Sequence, residues 1–147
     1  QGNIWCEYIH APEKVDYMTY PRGAAVAEIG WSTPDRKDWV DFTRRLETQY
    51  TRYEQMGINY AQSAYQVYFE VTDDTVGKKS TVTLKTDSYQ PEIHYTLDGT
   101  EPSAKSPSYE GAFEVPQYTT VRAATFKNGK RVSPVSIRSM VHFGETE

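Results

Sequence analysis

The sequence predicts an α+β chain, with a helical part over residues 1–63 followed by an antiparallel β-sandwich of immunoglobulin-like type over residues 64–147. All three tryptophans precede residue 40, whereas short alternating apolar runs separated by Gly and Pro dominate after residue 64. Over residues 37–56 the apolar positions recur at steps of three and four, as in a helix. The change from helical to strand periodicity places a domain boundary near residues 62–65.

The first helix is expected to begin at Pro12, because a proline at the first helical position loses no hydrogen bond. Val15 and Met18 give this segment an apolar side. Pro21 lacks an N–H and disrupts a helix interior, so we expect a break there. A second helix is then predicted from about residue 22 to residue 30.

The third helix, over residues 37–56, has the clearest amphipathic pattern. Its apolar stripe consists of Trp39, Phe42, Leu46, Tyr50 and Tyr53. Asp35 is predicted to be the N-cap, with Asp38 in the first turn and Gly57 as the C-terminal stop. We assign Trp31 and Trp39 to packing and the polar face to solvent.

Six or seven short strands are predicted in the second part from apolar alternation. The alternating positions are Val67, Phe69 and Val71; Val82 and Leu84; Ile93, Tyr95 and Leu97; Phe113 and Val115; Val121, Ala123 and Thr125; and Val135, Ile137 and Val141. Turns are expected at Asp98-Gly99, Ser106-Pro107 and Asn128-Gly129. This spacing of strands and turns is typical of a sandwich.

Composition argues against two classes of partner. The net charge is −4 and no basic tract is present, which argues against nucleic-acid binding. The longest apolar run, residues 23–31, contains Glu28 and is far shorter than the roughly 20 residues that a membrane span needs. We expect neither nucleic acid nor a membrane span in this segment.

No metal or cofactor is expected. His10, His94 and His142 are scattered, and the single cysteine, Cys6, is interpreted as a small buried filler. Asp98 and Glu101 fit a turn, and the pair at residues 73–74 fits an acidic linker loop better than a calcium site.

Trp5 and Glu7 form the candidate binding pattern of the chain. Residues 3–9 have the character of a buried strand, in which residues two apart point to the same face. An indole covers the apolar face of a pyranose while a neighbouring carboxylate accepts hydrogen bonds from its hydroxyls. The same two residues also fit an ordinary core tryptophan beside a solvated glutamate.

Ordered motifs extend the pattern along both halves of the chain. The first half holds Gly2-Asn3-Ile4-Trp5-Cys6-Glu7-Tyr8-Ile9, Tyr20-Pro21-Arg22, Ala27-Glu28-Ile29-Gly30-Trp31-Ser32 and Gly57-Ile58-Asn59-Tyr60. The second half holds Ile93-His94-Tyr95-Thr96-Leu97-Asp98-Gly99-Thr100-Glu101-Pro102, Tyr109-Glu110-Gly111 and Ser133-Pro134-Val135. The first set resembles the end of the catalytic barrel of family 20 glycoside hydrolases, the β-N-acetylhexosaminidases. The second resembles the β-sandwich module often found behind that barrel.

This resemblance implies a retaining exo-hydrolase that removes terminal N-acetylhexosamine, with the 2-acetamido group of the substrate as the nucleophile. Trp5 would stack on the terminal sugar and Glu7 would accept hydrogen bonds from its hydroxyls, both from the eighth strand of a (β/α)8 barrel. The family's catalytic Asp-Glu pair does not occur in this sequence, so we expect the chain alone to be inactive. Its expected partners are N-acetylhexosamine glycans and the remaining part of the barrel.

The resemblance also implies a periplasmic, extracellular or cell-surface location. Without barrel partners, residues 1–11 are expected to be disordered, to borrow a neighbouring molecule or to dock on the sandwich. The alternative function is a non-catalytic sandwich module that binds carbohydrate or protein. Its candidate stacking rings are Tyr89, Tyr95, Tyr109 and Tyr118, although alternating tyrosines also occur in sandwich cores.

Overall fold

The computed structural model describes residues 2–5, 7, 9–74 and 76–140. The chain divides into two compact units, Gln1–Ala61 and Gln62–Glu147. The described residues of the first unit form three α-helices, and those of the second form two antiparallel sheets. The predicted α+β class is therefore confirmed.

The first two helices lie where the prolines place them. Helix α1 (Pro12–Thr19) has its proline at the start, and it ends where the Tyr20 N–H donates to the Asp16 carbonyl at 2.8 Å. Helix α2 (Arg22–Trp31) follows Pro21 directly. The predicted break is confirmed, and neither helix contains a buried residue.

Helix α3 (Trp39–Gln55) begins at a different cap from the one predicted. The Asp38 carboxylate accepts from the Asp41 N–H at 3.0 Å, as an N-cap does. The Asp35 prediction is wrong, because Asp35 belongs to a separate short 3₁₀ turn (Pro34–Arg36) ahead of the helix. Gly57 follows the helix with φ +68°, a left-handed conformation that favours glycine, so the predicted stop is confirmed.

An aromatic cluster forms the core of the first unit. The rings of Tyr50 and Tyr60 stack with centroids 4.8 Å apart, and those of Tyr20 and Tyr53 lie 4.9 Å apart. The Ala61 N–H donates to the Tyr20 carbonyl at 2.8 Å. The buried side of α3 thus packs against the segment that follows Gly57. The buried apolar residues of this core are Phe42, Leu46, Tyr50, Tyr53, Tyr60 and Ala61.

Two tryptophans assigned to packing are instead exposed. Trp31 is 91% exposed and Trp39 is 62% exposed, so that assignment is wrong. Each stands at a helix terminus, Trp31 ending α2 and Trp39 beginning α3. Trp39 keeps one ring contact, to Phe42 at 5.8 Å between centroids. Helical spacing placed Trp39 in the apolar stripe, but the buried part of that stripe begins one turn later.

Seven strands form two sheets in the second unit, counting described residues. They are β1 (Tyr68–Asp74), β2 (Lys79–Lys85), β3 (Glu92–Thr96), β4 (Phe113–Pro116), β5 (Thr120–Lys127), β6 (Lys130–Arg131) and β7 (Ser136–Ser139). The first sheet has the order β1-β2-β4. In the second sheet β5 pairs with β3, β6 and β7. Every pairing is antiparallel.

The core of the second unit lies between the two sheets. Alternate residues of both sheets point inward, as the period of two requires. The buried cluster comprises Val67, Val82, Leu84, Val115, Ile93, Val121, Ala123 and Met140. Leu97, just beyond β3, and Ile137, on β7, are exposed and do not join it. Val141 lies outside the described residues.

The turns of the sandwich follow their sequence signals with one exception. Gly99 has φ +83° and the Asp98 carboxylate accepts from the Thr100 N–H at 3.0 Å. Asn128 and Gly129 both have positive φ between β5 and β6, as a two-residue hairpin turn requires. The acidic pair at residues 73–74 is not a linker loop, because it ends β1 and its carboxylates accept from the β1–β2 hairpin.

Candidate functional site

The described residues around Trp5 and Glu7 do not lie in a strand. None of residues 2–5, 7 and 9 belongs to a sheet, so these positions do not show the strand predicted over residues 3–9. A buried parallel strand needs partners on both sides, and no other strand is found among the described residues of the first unit. Gly2, just before this segment, lies near α2, with a Val26 methyl 3.7 Å from the position that a Cβ at Gly2 would take.

Both candidate side chains are open to solvent. Trp5 is 74% exposed, and Glu7 is also exposed. Without a strand, alternation does not impose a common face on residues two apart. The structure therefore does not join Trp5 and Glu7 into a pocket. Cys6 lies outside the described residues, so its interpretation as a buried filler stays a prediction.

A charged cluster that sequence reasoning missed joins α2 to α3. The Arg45 guanidinium contacts the Glu28 carboxylate at 2.7 Å and the Asp41 carboxylate at 2.8 Å. Arg44 reaches the second oxygen of Asp41 at 2.6 Å. The i,i+4 spacing of Asp41 and Arg45 was a usable signal, whereas the link to Glu28 depends on the tertiary fold.

This cluster keeps its carboxylates ionised. The hydrogen bond from Arg45 lowers the pKa of Glu28, and those from Arg44 and Arg45 lower the pKa of Asp41. The same two carboxylates raise the pKa of Arg45. A general acid needs a raised carboxyl pKa at neutral pH. The cluster is therefore suited to holding helices together and not to proton transfer.

An open groove of about 690 Å³ runs along the same two helices. Its lining combines the exposed indole of Trp31, the Phe42 ring, the Glu28–Arg45 pair and the Gln49 amide. Like the segment around Trp5, it presents an aromatic ring beside polar groups. Among these lining groups, no acid and base are placed together to act on a substrate.

The tyrosines of the sandwich divide between core and surface. Tyr95 stacks on Phe113 with centroids 4.5 Å apart, and Tyr109 meets the same ring at 6.2 Å. Both therefore serve packing. Tyr89 is half-buried, whereas Tyr118 is exposed in the β4–β5 turn with φ +67°.

The part of the chain that the structure describes shows neither a metal-binding cluster nor a membrane-spanning helix. It contains no group of three or more His, Cys, Asp or Glu side chains placed to hold a metal ion. Within the same residues, no helix combines the length and the apolar character needed to cross a membrane.

Comparisons with known proteins match both halves of the chain. Residues 1–34 match the family model of the glycosyl hydrolase family 20 catalytic domain, and residues 71–137 match that of the chitobiase/beta-hexosaminidase C-terminal domain. A beta-hexosaminidase of Porphyromonas gingivalis is 36% identical over 141 residues, which cover 92% of this chain and 17% of that protein. A beta-N-acetylhexosaminidase of Cellulomonas fimi is 32% identical over 63 residues, covering 43% of this chain and 13% of that protein. The chain thus spans less than a fifth of the length of either relative.

Proposed function

We propose that this chain works within a larger retaining exo-β-N-acetylhexosaminidase. The premise is its similarity to the C-terminal part of family 20 beta-hexosaminidases. The observation that carries the proposal is the order of the two family matches, catalytic domain first and C-terminal domain second. One relative named as a beta-hexosaminidase aligns across both. The proposed substrates are glycans that end in N-acetylhexosamine, and the proposed location is periplasmic, extracellular or cell-surface.

The proposed chemistry is substrate-assisted hydrolysis. The 2-acetamido oxygen of the substrate attacks the anomeric carbon while a carboxylic acid protonates the departing oxygen, and water then opens the cyclic intermediate. A second carboxylate orients the acetamido group. The sequence contains no Asp-Glu dipeptide. We therefore assign both catalytic carboxylates to another part of the parent protein and expect this chain alone to be inactive.

The first unit offers a surface that fits this role. Helices α1 and α2 bury none of their residues and expose Val15, Met18, Val26 and Ile29. Helices that flank a parallel sheet need such an apolar face to cover its strands. The proposed occupant of this face is the rest of the catalytic domain. In the complete barrel, we propose that residues 3–9 pair as a strand and that Trp5 and Glu7 then share one face.

The proposed roles of Trp5 and Glu7 are binding roles. Trp5 would cover the apolar face of the terminal sugar, and Glu7 would accept hydrogen bonds from its hydroxyls. A lost hydrogen bond to a charged group weakens binding by about 1.5–3 kcal/mol. We therefore expect Glu7→Gln to lower kcat/KM of the parent enzyme by at least about tenfold, and Trp5→Ala to lower it through the loss of the ring that covers the sugar.

Steady-state kinetics of the parent on a chromogenic N-acetylhexosaminide test these roles. The matched controls are Trp39→Ala, which removes another exposed indole, and Glu70→Gln, which removes an exposed carboxylate of β1. Both controls should leave kcat/KM unchanged. Wild-type kinetics in Trp5→Ala and Glu7→Gln would contradict the binding roles, and turnover by this chain alone would contradict the assignment of the acid elsewhere.

One observation favours the alternative of a binding module. Tyr118 is an exposed aromatic residue with positive φ, a conformation that is uncommon for a bulky side chain. Calorimetric titration of the chain with N-acetylhexosamine oligosaccharides tests this alternative. A binding heat that disappears in Tyr118→Ala and persists in Trp5→Ala would support the module.

A further inference from the structure

His94 is a buried histidine on β3 whose two ring nitrogens are both engaged. Its side chain is 8% exposed. Nε2 lies 3.0 Å from the Glu92 carboxylate, and Nδ1 lies 2.7 Å from the carbonyl oxygen of Ser106. Glu92 is two residues earlier on the same strand, so both side chains point away from the core that holds Ile93.

Both partners of this ring are hydrogen-bond acceptors. A backbone carbonyl and an ionised carboxylate cannot donate, so each of these bonds needs a proton on the histidine nitrogen. A neutral imidazole carries one N–H and can satisfy only one partner. Both bonds form together only in the imidazolium form, whereas the neutral ring keeps one of the two.

The bond to Ser106 attaches a loop to the second sheet. This loop, residues 97–106, leaves β3, and the chain after it returns beside the same strand. Two backbone hydrogen bonds hold the returning chain. The Tyr95 N–H donates to the Pro107 carbonyl at 3.1 Å, and the Tyr109 N–H donates to the Ile93 carbonyl at 2.8 Å. Two further contacts hold the loop. The Thr96 hydroxyl donates to the Thr100 carbonyl at 2.6 Å, and Arg131 of β6 contacts Glu101 at 2.8 Å.

Three side-chain contacts of the loop have been described: His94 to Ser106, Thr96 to Thr100, and Arg131 to Glu101. Among these three, only the contact of His94 involves a group whose charge changes between about pH 5 and 8. We propose that His94 is a pH-sensitive latch, which holds residues 97–106 against the outer face of the second sheet most tightly when both ring nitrogens are protonated. The latch does not depend on the proposed catalytic role of the parent.

The surroundings of His94 assign its charge partner. Opposite it on β5 stands Ala124, and the Phe126 ring meets the imidazole edge-on at 5.0 Å. The charged residues on the neighbouring elements are Arg122 and Lys127 of β5, Lys130 and Arg131 of β6, and Asp98, Glu101 and Lys105 of the loop. Glu101 is engaged with Arg131, and Asp98 with Thr100. The charge that acts on the imidazole is that of Glu92.

The sign of the effect follows from the same contacts. Burial acts to lower the pKa of His94, but the hydrogen bonds to Glu92 and Ser106 and the charge of Glu92 outweigh it, so the pKa is raised. A raised pKa in the closed state means that the latch is fully engaged below the ordinary imidazole pKa of about 6.5. The latch weakens as the pH rises through the raised value, because the neutral ring can donate to only one of Ser106 and Glu92.

Nuclear magnetic resonance of the full chain tests the latch with two readouts. The first is the titration of the His94 ring. The second is the amide protection of Tyr95 and Tyr109, compared with that of Val132, whose N–H donates to Thr125 in the neighbouring hairpin. We expect His94 to titrate above about pH 6.5. The pH range runs from about 5.5 to about 8.5, which brackets the ordinary histidine pKa of about 6.5. Over this range the amide protection of Tyr95 and Tyr109, corrected for intrinsic exchange, should fall. The amide protection of Val132 should stay constant.

Two matched variants separate the latch from general loop loosening. Glu92→Gln removes the charge that favours imidazolium, so the His94 midpoint should fall and the pH dependence of protection should shrink. Glu101→Gln removes the Arg131 contact from the same loop. It should lower protection at every pH and leave the His94 midpoint unchanged.

Two results would overturn the proposal. One is a His94 midpoint that Glu92→Gln does not move. The other is constant protection of Tyr95 and Tyr109 in the wild-type chain across the pH range in which His94 titrates.

Discussion

Truncation of Leu84 measures how much the sandwich core depends on contact between its two sheets. Leu84 is 3% exposed on β2, stands opposite Phe69 of β1, and packs in the cluster that also contains Ile93 of the second sheet. Leu84→Ala removes about three carbon atoms from a buried site, a transfer loss of roughly 2 kcal/mol at about 0.8 kcal/mol per methylene. The cavity left between the sheets raises the expected loss to about 3 kcal/mol.

Leu97→Ala is the matched control, because it makes the same chemical change at a residue that is 45% exposed. Its expected effect is below about 0.5 kcal/mol. Amide exchange of the inner β5 residues Val121 and Ala123 reports the unfolding free energy of the sandwich, since both are completely buried. A loss below about 1 kcal/mol in Leu84→Ala, or equal losses in the two variants, would refute a core formed between the sheets.

Two predictions concern α3 and its neighbours. Asp38→Ala should weaken α3 by about 1 kcal/mol through the lost bond to the Asp41 N–H, while Asp35→Ala should leave the helix unchanged. Amide protection in the first turn of α3 checks both, and a larger effect from Asp35→Ala would contradict the observed cap. Gly57→Ala should destabilise the first unit by about 1 kcal/mol because of its positive φ. Gly30→Ala, in α2 with open space around the new methyl group, should stabilise the first unit by about 0.5–1 kcal/mol. Denaturation curves of the two variants check this pair. Changes of the same sign in the unfolding free energy would show the reasoning to be wrong.

The helices of the first unit were predictable because their signals are local. Pro12 and Pro21 act on the backbone of their own turn, and the spacing of Phe42, Leu46 and Tyr50 identifies the buried side of α3. The identity of the cap was less determined, since Asp35 and Asp38 are both acceptable cap residues and lie only three positions apart. The structure selects Asp38 because the chain makes a separate turn at Pro34–Arg36 first.

The strands of the sandwich were predictable for a related reason, but their pairing was not. Alternation fixes which face of β2 holds Val82 and Leu84, and glycine at positive φ marks the turns. The partner of each strand depends on contacts between distant residues. The placement of β4 beside β2 and of β5 beside β3, which divides the core between two sheets, has no counterpart in the local pattern.

The candidate sites show where sequence reasoning reaches its physical limit. The sequence pattern assigns the polar face of α3, which carries Arg45, to solvent, although the partner Glu28 lies 17 positions earlier on another helix. In the sequence His94 is one of three scattered histidines, and its partner Ser106 lies 12 positions later. In both cases the chemistry arises when the fold brings a distant acceptor to a charged side chain.

The same spacing of two residues has opposite outcomes in the two units, and the difference lies in the backbone. Glu92 and His94 meet at 3.0 Å because β3 is held in a ladder with β5, which imposes the period of two on its side chains. Trp5 and Glu7 have the same separation in sequence but no ladder, so nothing in the described chain imposes a common face on them. A pattern of this kind predicts proximity only where strand partners are available. The binding roles proposed for Trp5 and Glu7 therefore depend on the rest of the catalytic domain supplying the strands beside them.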